Sequence, residues 1–169
     1  MQLKVLDLHQ TVFGQKHPDT LISMANLAVT YSKQKKYDKA GKLKLKVLDL
    51  HRKILGPEHP ETLTSMANLA VTYSDQGQYK EAEELQLKFL DLRQKVLEPE
   101  HPSTLISMNT LAGTYSAQGK YKEAKELQLK VLDLHRKVLG PEHPDTLSSM
   151  ANLGVIYQKK EKNKKAGGL

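Results

Sequence analysis

Apolar residues recur along this chain at spacings of three and four, and then the whole pattern recurs. Between residues 60 and 73, Leu63, Met66, Leu69, Ala70 and Tyr73 mark one stripe of an amphipathic helix. Pro60 suits its first turn, where a missing N–H leaves no bond unmade. Glu61 beside it favours the positive end of the helix dipole. Asp75-Gln76-Gly77-Gln78 ends the stripe, with Gly77 placed for a left-handed C-terminal residue. A second stripe begins near Tyr79 and carries Ala82, Leu85, Leu87, Phe89, Leu90, Leu92, Val96 and Leu97. That band is too wide for one partner, so one flank is expected against the preceding helix and the other against the next unit. The first helix, A, runs about 15 residues and the second, B, about 19, roughly 20 and 28 Å.

The unit then repeats. His-Pro stands at His17-Pro18, His59-Pro60, His101-Pro102 and His143-Pro144, each 42 residues from the last, and residues 23–32 and 65–74 are identical. Leu-Gly-Pro-Glu closes the unit at 55–58 and 139–142, a helix stop followed by a turn. Glu98 replaces the Gly, which predicts a C-terminus that is strained or hydrogen-bonded differently. The frame gives a B-only half repeat at 1–16, full repeats at 17–58, 59–100 and 101–142, and a half repeat at 143–169 made of helix A and a frayed basic tail. One A–B pair cannot bury both its apolar faces. Stacked pairs can, which predicts an all-α, quasi-one-dimensional solenoid.

Composition narrows the class. Aromatics are 5% of 169 residues, with no Trp and two Phe, so Leu, Ala, Val and Met must fill thin layers between helices. No apolar run approaches the roughly 20 residues that span a bilayer. The opening Met1–Asp7 is amphipathic and charged, unlike a signal peptide. Cys is absent, which excludes disulfides and thiolate metal sites. The expectation is an intracellular, cytoplasmic protein with no membrane role. The net charge is +7, but it is distributed unevenly. Repeat 17–58 has nine Lys/Arg against four Asp/Glu, whereas 59–100 has four against eight. This mosaic is unlike a continuous phosphate-tracking stripe, so nucleic acid is disfavoured as a partner.

Leu69-Ala70-x-x-Tyr73 followed by Gly77-x-Tyr79-x-x-Ala82 resembles the tetratricopeptide repeat. The 42-residue period, the Leu-Gly-Pro-x-His-Pro link and Asn68-Leu69-Ala70 are more specifically similar to kinesin light chain repeats. The resemblance implies a right-handed superhelix of antiparallel pairs, with A helices on the inner, concave wall, and a scaffold that binds protein partners. Met24, Met66, Met108 and Met150 depart from it, standing where the shorter repeat often has Trp. Lys35 and Glu161 replace the turn Gly, and Asn163 replaces the Tyr that opens helix B.

Candidate partner-binding residues lie off the apolar stripe of the A helices. They are Asn26, Asn68 and Asn152, with Asn109 beside Thr110 in the third unit, then Val29 and Val71, Ser32, Ser74 and Ser116, and Lys33. An Asn offers both a donor and an acceptor, and so can clamp a peptide backbone. The resemblance implies that use for Asn26, Asn68 and Asn152. The alternative is that these Asn tie neighbouring helices together. Gly113 replaces Val in the third unit, which reads either as a shallow place where a ligand can come close or equally as neutral drift from Val. Lys33 and Lys159 on the rim suit acidic groups, whereas Asp75 repels them.

No catalytic or cofactor chemistry is expected. The sequence has no G-x-x-x-x-G-K, G-x-S-x-G or H-E-x-x-H pattern. Four of seven His belong to the His-Pro link, and His9, His51 and His135 fall on B helices, so cap, turn or packing roles are expected rather than metal ligation. The Lys run from Lys33 to Lys46 reads as a solvated helix face. The opening band, including Leu3, Leu6, Val12 and Phe13, and the closing stripe, including Met150, Leu153 and Tyr157, are expected to stay partly uncovered. They suggest a head-to-tail homo-oligomer or structural spacer array as a second role, and the resemblance extends to sensor segments attached to nucleotide-hydrolysing switch proteins as another.

Overall fold

The computed structural model describes residues 1–98 and 100–166. They form eight helices: α1 (Gln2–Phe13), α2 (Pro18–Lys33), α3 (Tyr37–Leu55), α4 (Pro60–Asp75), α5 (Tyr79–Val96), α6 (Pro102–Ala117), α7 (Tyr121–Leu139) and α8 (Pro144–Ala166). No strand occurs among the described residues. The even-numbered helices are the A helices of the sequence frame. The chain divides into two compact units, Met1–Leu85 and Gln86–Leu169, with the boundary inside α5.

In the first unit α1 packs on α2, α2 on α3 and α3 on α4. Leu6, Met24, Leu27 and Val47 are buried together, with Tyr31, Leu43 and Leu50 against them. In the second unit α6 packs on α7 and α7 on α8. There Leu90, Leu105, Met108, Leu111 and Val131 are buried, with Tyr115, Leu127 and Leu134 against them. Most of these residues are the first cluster's positions moved on by two repeats, so one packing solution is used twice. Met24, Met66 and Met108 are fully buried, and Met fills the layer where the shorter repeat uses Trp.

The His-Pro links start the A helices. His17, His59 and His101 are N-caps in extended conformation, with Pro at the first helical position. Each Nδ1 accepts the backbone N–H two residues on, at 3.3, 3.2 and 3.2 Å, and His143 does the same for Asp145 at 3.2 Å. One otherwise orphaned N–H per helix is thereby satisfied. The next residue, Thr20, Thr62, Thr104 or Thr146, is completely buried. Its hydroxyl donates to the carbonyl that ended the preceding helix: Gly14, Gly56, Glu98 and Gly140, at 2.8, 2.7, 3.3 and 2.7 Å.

The helix stops explain the departures. Gly14, Gly56 and Gly140 have φ of 84°, 92° and 92° with ψ near 165–169°, a region essentially closed to other residues. Glu98 cannot follow them there, and α5 stops at Val96, one residue short of the register of α3 and α7. A helices end differently, on a left-handed residue: Gly77 at φ 74°, Gly119 at 78° and Lys35 at 57°. Backbone bonds from Lys36 to Tyr31 O and from Lys35 to Ser32 O close the α2 end, as they do after α4. Glu161 also lacks the Gly, yet α8 continues helical to Ala166 through the segment expected to fray. Residues 167–169 of that segment lie outside the described residues. Lys35 takes the strained conformation because α3 packs back on α2, whereas residues 162–166 simply extend their helix.

The opening band is covered at one residue. Leu6 does not stay uncovered: it faces α2 and is buried beside Met24 and Leu27. Leu3, Val12 and Phe13 on the same helix are exposed.

Candidate functional site

Packing fixes which face each A helix turns outward. In the first unit Leu21, Met24, Leu27 and Ala28 of α2 are buried, and this leaves Asn26, Val29 and Lys33 exposed and Ser32 half-buried. On α4 the matching Asn68 and Val71 are exposed and Ser74 half-buried. Ala25, Val29 and Asn68 border a shallow groove of about 50 Å³, with Lys44 and Val47 of α3 along it. Lys44 Nζ donates to Thr72 Oγ1 at 2.7 Å and to the Asn68 carbonyl at 3.2 Å. Burial pushes its ammonium pKa down, partly offset by the carboxylate of Asp75. The Lys run is therefore not solvated throughout.

In the second unit Asn109 of α6 and Asn152 of α8 meet directly. Asn152 Nδ2 donates to Asn109 Oδ1 at 3.1 Å. Both are half-buried, and they border two hollows. One, of about 220 Å³, includes Leu105, Ile106 and Ser148. The other, of about 210 Å³, includes Gly113, Ser116, Gln128, Ile156 and Lys159. Gln128 is almost fully buried and donates to the Ser149 carbonyl at 3.3 Å. Ser116, expected on the open face, is buried at the side of the hollow that Asn152 and Ile156 of α8 also border.

The remaining polar residues hold helices together. His9, His51 and His135 hydrogen-bond through Nδ1 to Ser23, Ser65 and Ser149 of the following A helix, at 2.9, 2.8 and 2.7 Å. Arg93 takes the same position in α5 and donates to the Ser103 carbonyl at 2.7 Å and to Ser107 Oγ at 3.2 Å. Among the described residues no three His, Asp or Glu side chains gather into a metal-binding group, and no helix is long and apolar enough to cross a membrane. The sequence reading missed the buried Thr series and the Lys44/Gln128 floor. Their 42-residue spacing was the available signal, since Lys44, Gln86 and Gln128 share one position in the repeat.

A helical unit repeated at this period, with paired helices and small residues at their crossings, defines a tetratricopeptide-type scaffold. The tetratricopeptide repeat family model matches residues 26–88, 73–137 and 112–166, and the chain belongs to that family. It is a family of non-catalytic, protein–protein interaction scaffolds. Among solved structures, the chain is similar to a Podosopora anserina putative kinesin light chain with nearly identical repeats, at 34% identity and TM-score 0.86, covering 99% of this chain and 79% of that one. A variant of that protein gives the same values. BtubC (BKLC) from P. vanneervenii shares the fold, at TM-score 0.77 and 20% identity over 99% of this chain and 66% of that one. Comparison with curated protein sequences found no match.

Proposed function

We propose that the chain holds an extended peptide segment of a protein partner along the outward face of its A helices. Asn26 and Asn68 grip the peptide backbone, Asn109 and Asn152 border the track as a bonded pair, Val29 and Val71 contact its side chains, and Ser32, Ser74 and Lys33 flank it. The supporting observation is that Asn26, Val29, Asn68 and Val71 stay exposed on helices whose Leu21, Met24, Leu27, Leu63, Met66 and Leu69 are buried. The peptide amides would exchange water for Asn side chains, which is specific because each unpaired partner costs about 1–3 kcal/mol. The test is selection of displayed random peptides on the intact chain, followed by affinity measurement with Asn26→Ala/Asn68→Ala. We expect the double variant to weaken binding about tenfold or more, as for one to two hydrogen bonds lost. Unchanged affinity would remove these residues from the site. Binding that instead falls steeply with salt for every nucleic acid tried would favour phosphate contacts.

A second reading is self-association, favoured by one comparison. Met150 is 45% exposed, whereas Met24, Met66 and Met108 at the same repeat position are at most 1% exposed. Tyr157 is exposed and Leu153 half-buried on the same helix, and Leu3, Val12 and Phe13 are exposed on α1. Alanine at Met150 should then weaken any concentration-dependent light scattering. A strictly monomeric protein at high concentration and high salt would refute this second role.

A further inference from the structure

The two grooves on the A-helix face share four repeat positions, two repeats apart. Ala25, Val29, Lys44 and Asn68 in the first unit correspond by position to Asn109, Gly113, Gln128 and Asn152 in the second. The first holds about 50 Å³ and the second about 210 Å³. The A helices carry Val29, Val71 and Val155 where α6 carries Gly113, and a Cβ built there meets nothing within 4 Å. The glycine therefore opens room for something outside the chain rather than relieving a clash within it.

The lining says what kind of group fits. The Asn109–Asn152 bond uses one acceptor and one donor, so the pair still offers an amide NH₂ on one side and a carbonyl oxygen on the other, whichever way the amides are turned. Ser116 lines the groove at 5% exposure, and its Oγ has no protein partner. The floor is the neutral Gln128, where the first unit has the ammonium of Lys44. A carboxylate would enter without a buried cation to balance it, and Lys159 on the rim is exposed and screened by water. A hydrocarbon side chain would leave the free groups of the Asn pair unpaired. A neutral tip with both a donor and an acceptor pairs with that NH₂ and that carbonyl oxygen, with Ile156 against its methylenes.

We propose that the groove over Gly113 is a side-chain pocket selective for a carboxamide, the tip of a glutamine in the bound peptide. It deepens the peptide-binding reading and rests on it for the peptide, though not for the pocket itself.

The test titrates isotope-labelled protein with N-acetylglutamine methylamide, and separately with its glutamate and norleucine analogues. The glutamine compound should shift the Gly113 backbone amide and the Asn109 and Asn152 side-chain amides, and bind roughly fivefold or more tighter than either analogue, the discrimination of about one hydrogen bond. Gly113→Val restores the residue that the other A helices carry and should fold normally while abolishing those shifts. Equal binding of the norleucine or glutamate compound, no shift at Gly113, or shifts that survive Gly113→Val would overturn the proposal. Failure of the peptide selection with the glutamine shifts intact would sink the scaffold reading and leave the pocket standing; the reverse outcome would sink the pocket alone.

Discussion

Single residues set the strain in this chain. Gly14, Gly56 and Gly140 sit where a Cβ would meet nothing, so their requirement is conformational rather than steric. Gly56→Ala should therefore cost about 1–3 kcal/mol, read as a lower urea midpoint; an unchanged midpoint would mean the link readjusts freely. Lys35 makes the opposite case, an L residue held at φ 57°. Lys35→Gly should stabilise by about 1 kcal/mol, since the left-handed region costs other residues that much, and thermal unfolding would report it. Lys44 adds a pH dependence. Its folded pKa is lowered from 10.5 by burial, so below the folded value both states carry the proton and the burial cost is present in full. As pH rises toward 10.5 the native ammonium deprotonates first, the unfolded chain binds more protons, and stability rises. Lys44→Gln, which copies Gln128, should abolish that alkaline gain. Parallel stability–pH curves for the two proteins would contradict the assignment.

At the scale of elements, each A helix begins on a His–Pro–x–Thr start whose His caps and whose Thr ties back to the previous helix. Thr62→Val keeps the shape and loses the 2.7 Å bond to Gly56. We expect a loss of about 1 kcal/mol, because a partly buried carbonyl is left without its protein donor; equilibrium unfolding of the variant measures it, and a neutral result would reduce the Thr to a space filler. Much of this was legible in the sequence. Helix limits, the His-Pro starts and the odd behaviour of Glu98 follow from periodicity and turn chemistry, because those signals are local. Leu6, Ser116 and Lys44 were misread because their surroundings come from other helices. An apolar band does not say which member its neighbour covers, and a Lys among lysines does not show that Thr72 and Asn68 lie against it. The Asn109–Asn152 bridge was foreseen only as one of two uses for the series.

For the whole molecule, two copies of one core cluster lie two repeats apart, and neighbouring helices supply the packing of each. Met24→Ala should cost about 2–5 kcal/mol through the cavity left in a closed layer. Hydrogen exchange should locate the loss in α1 to α3 ahead of α7 and α8, since stability in a repeat chain is a sum of neighbour terms. Equal loss of protection everywhere would instead indicate a single all-or-none core. The glycine exits have a consequence for how such a chain lengthens. A tandem copy whose breakpoint follows Gly56 hands its descendants a full-length second helix and a ready exit. One cut after Glu98 transmits the early stop at Val96 to every daughter. The site of recombination, before any selection on a binding surface, thus decides whether a longer descendant inherits uniform or uneven links.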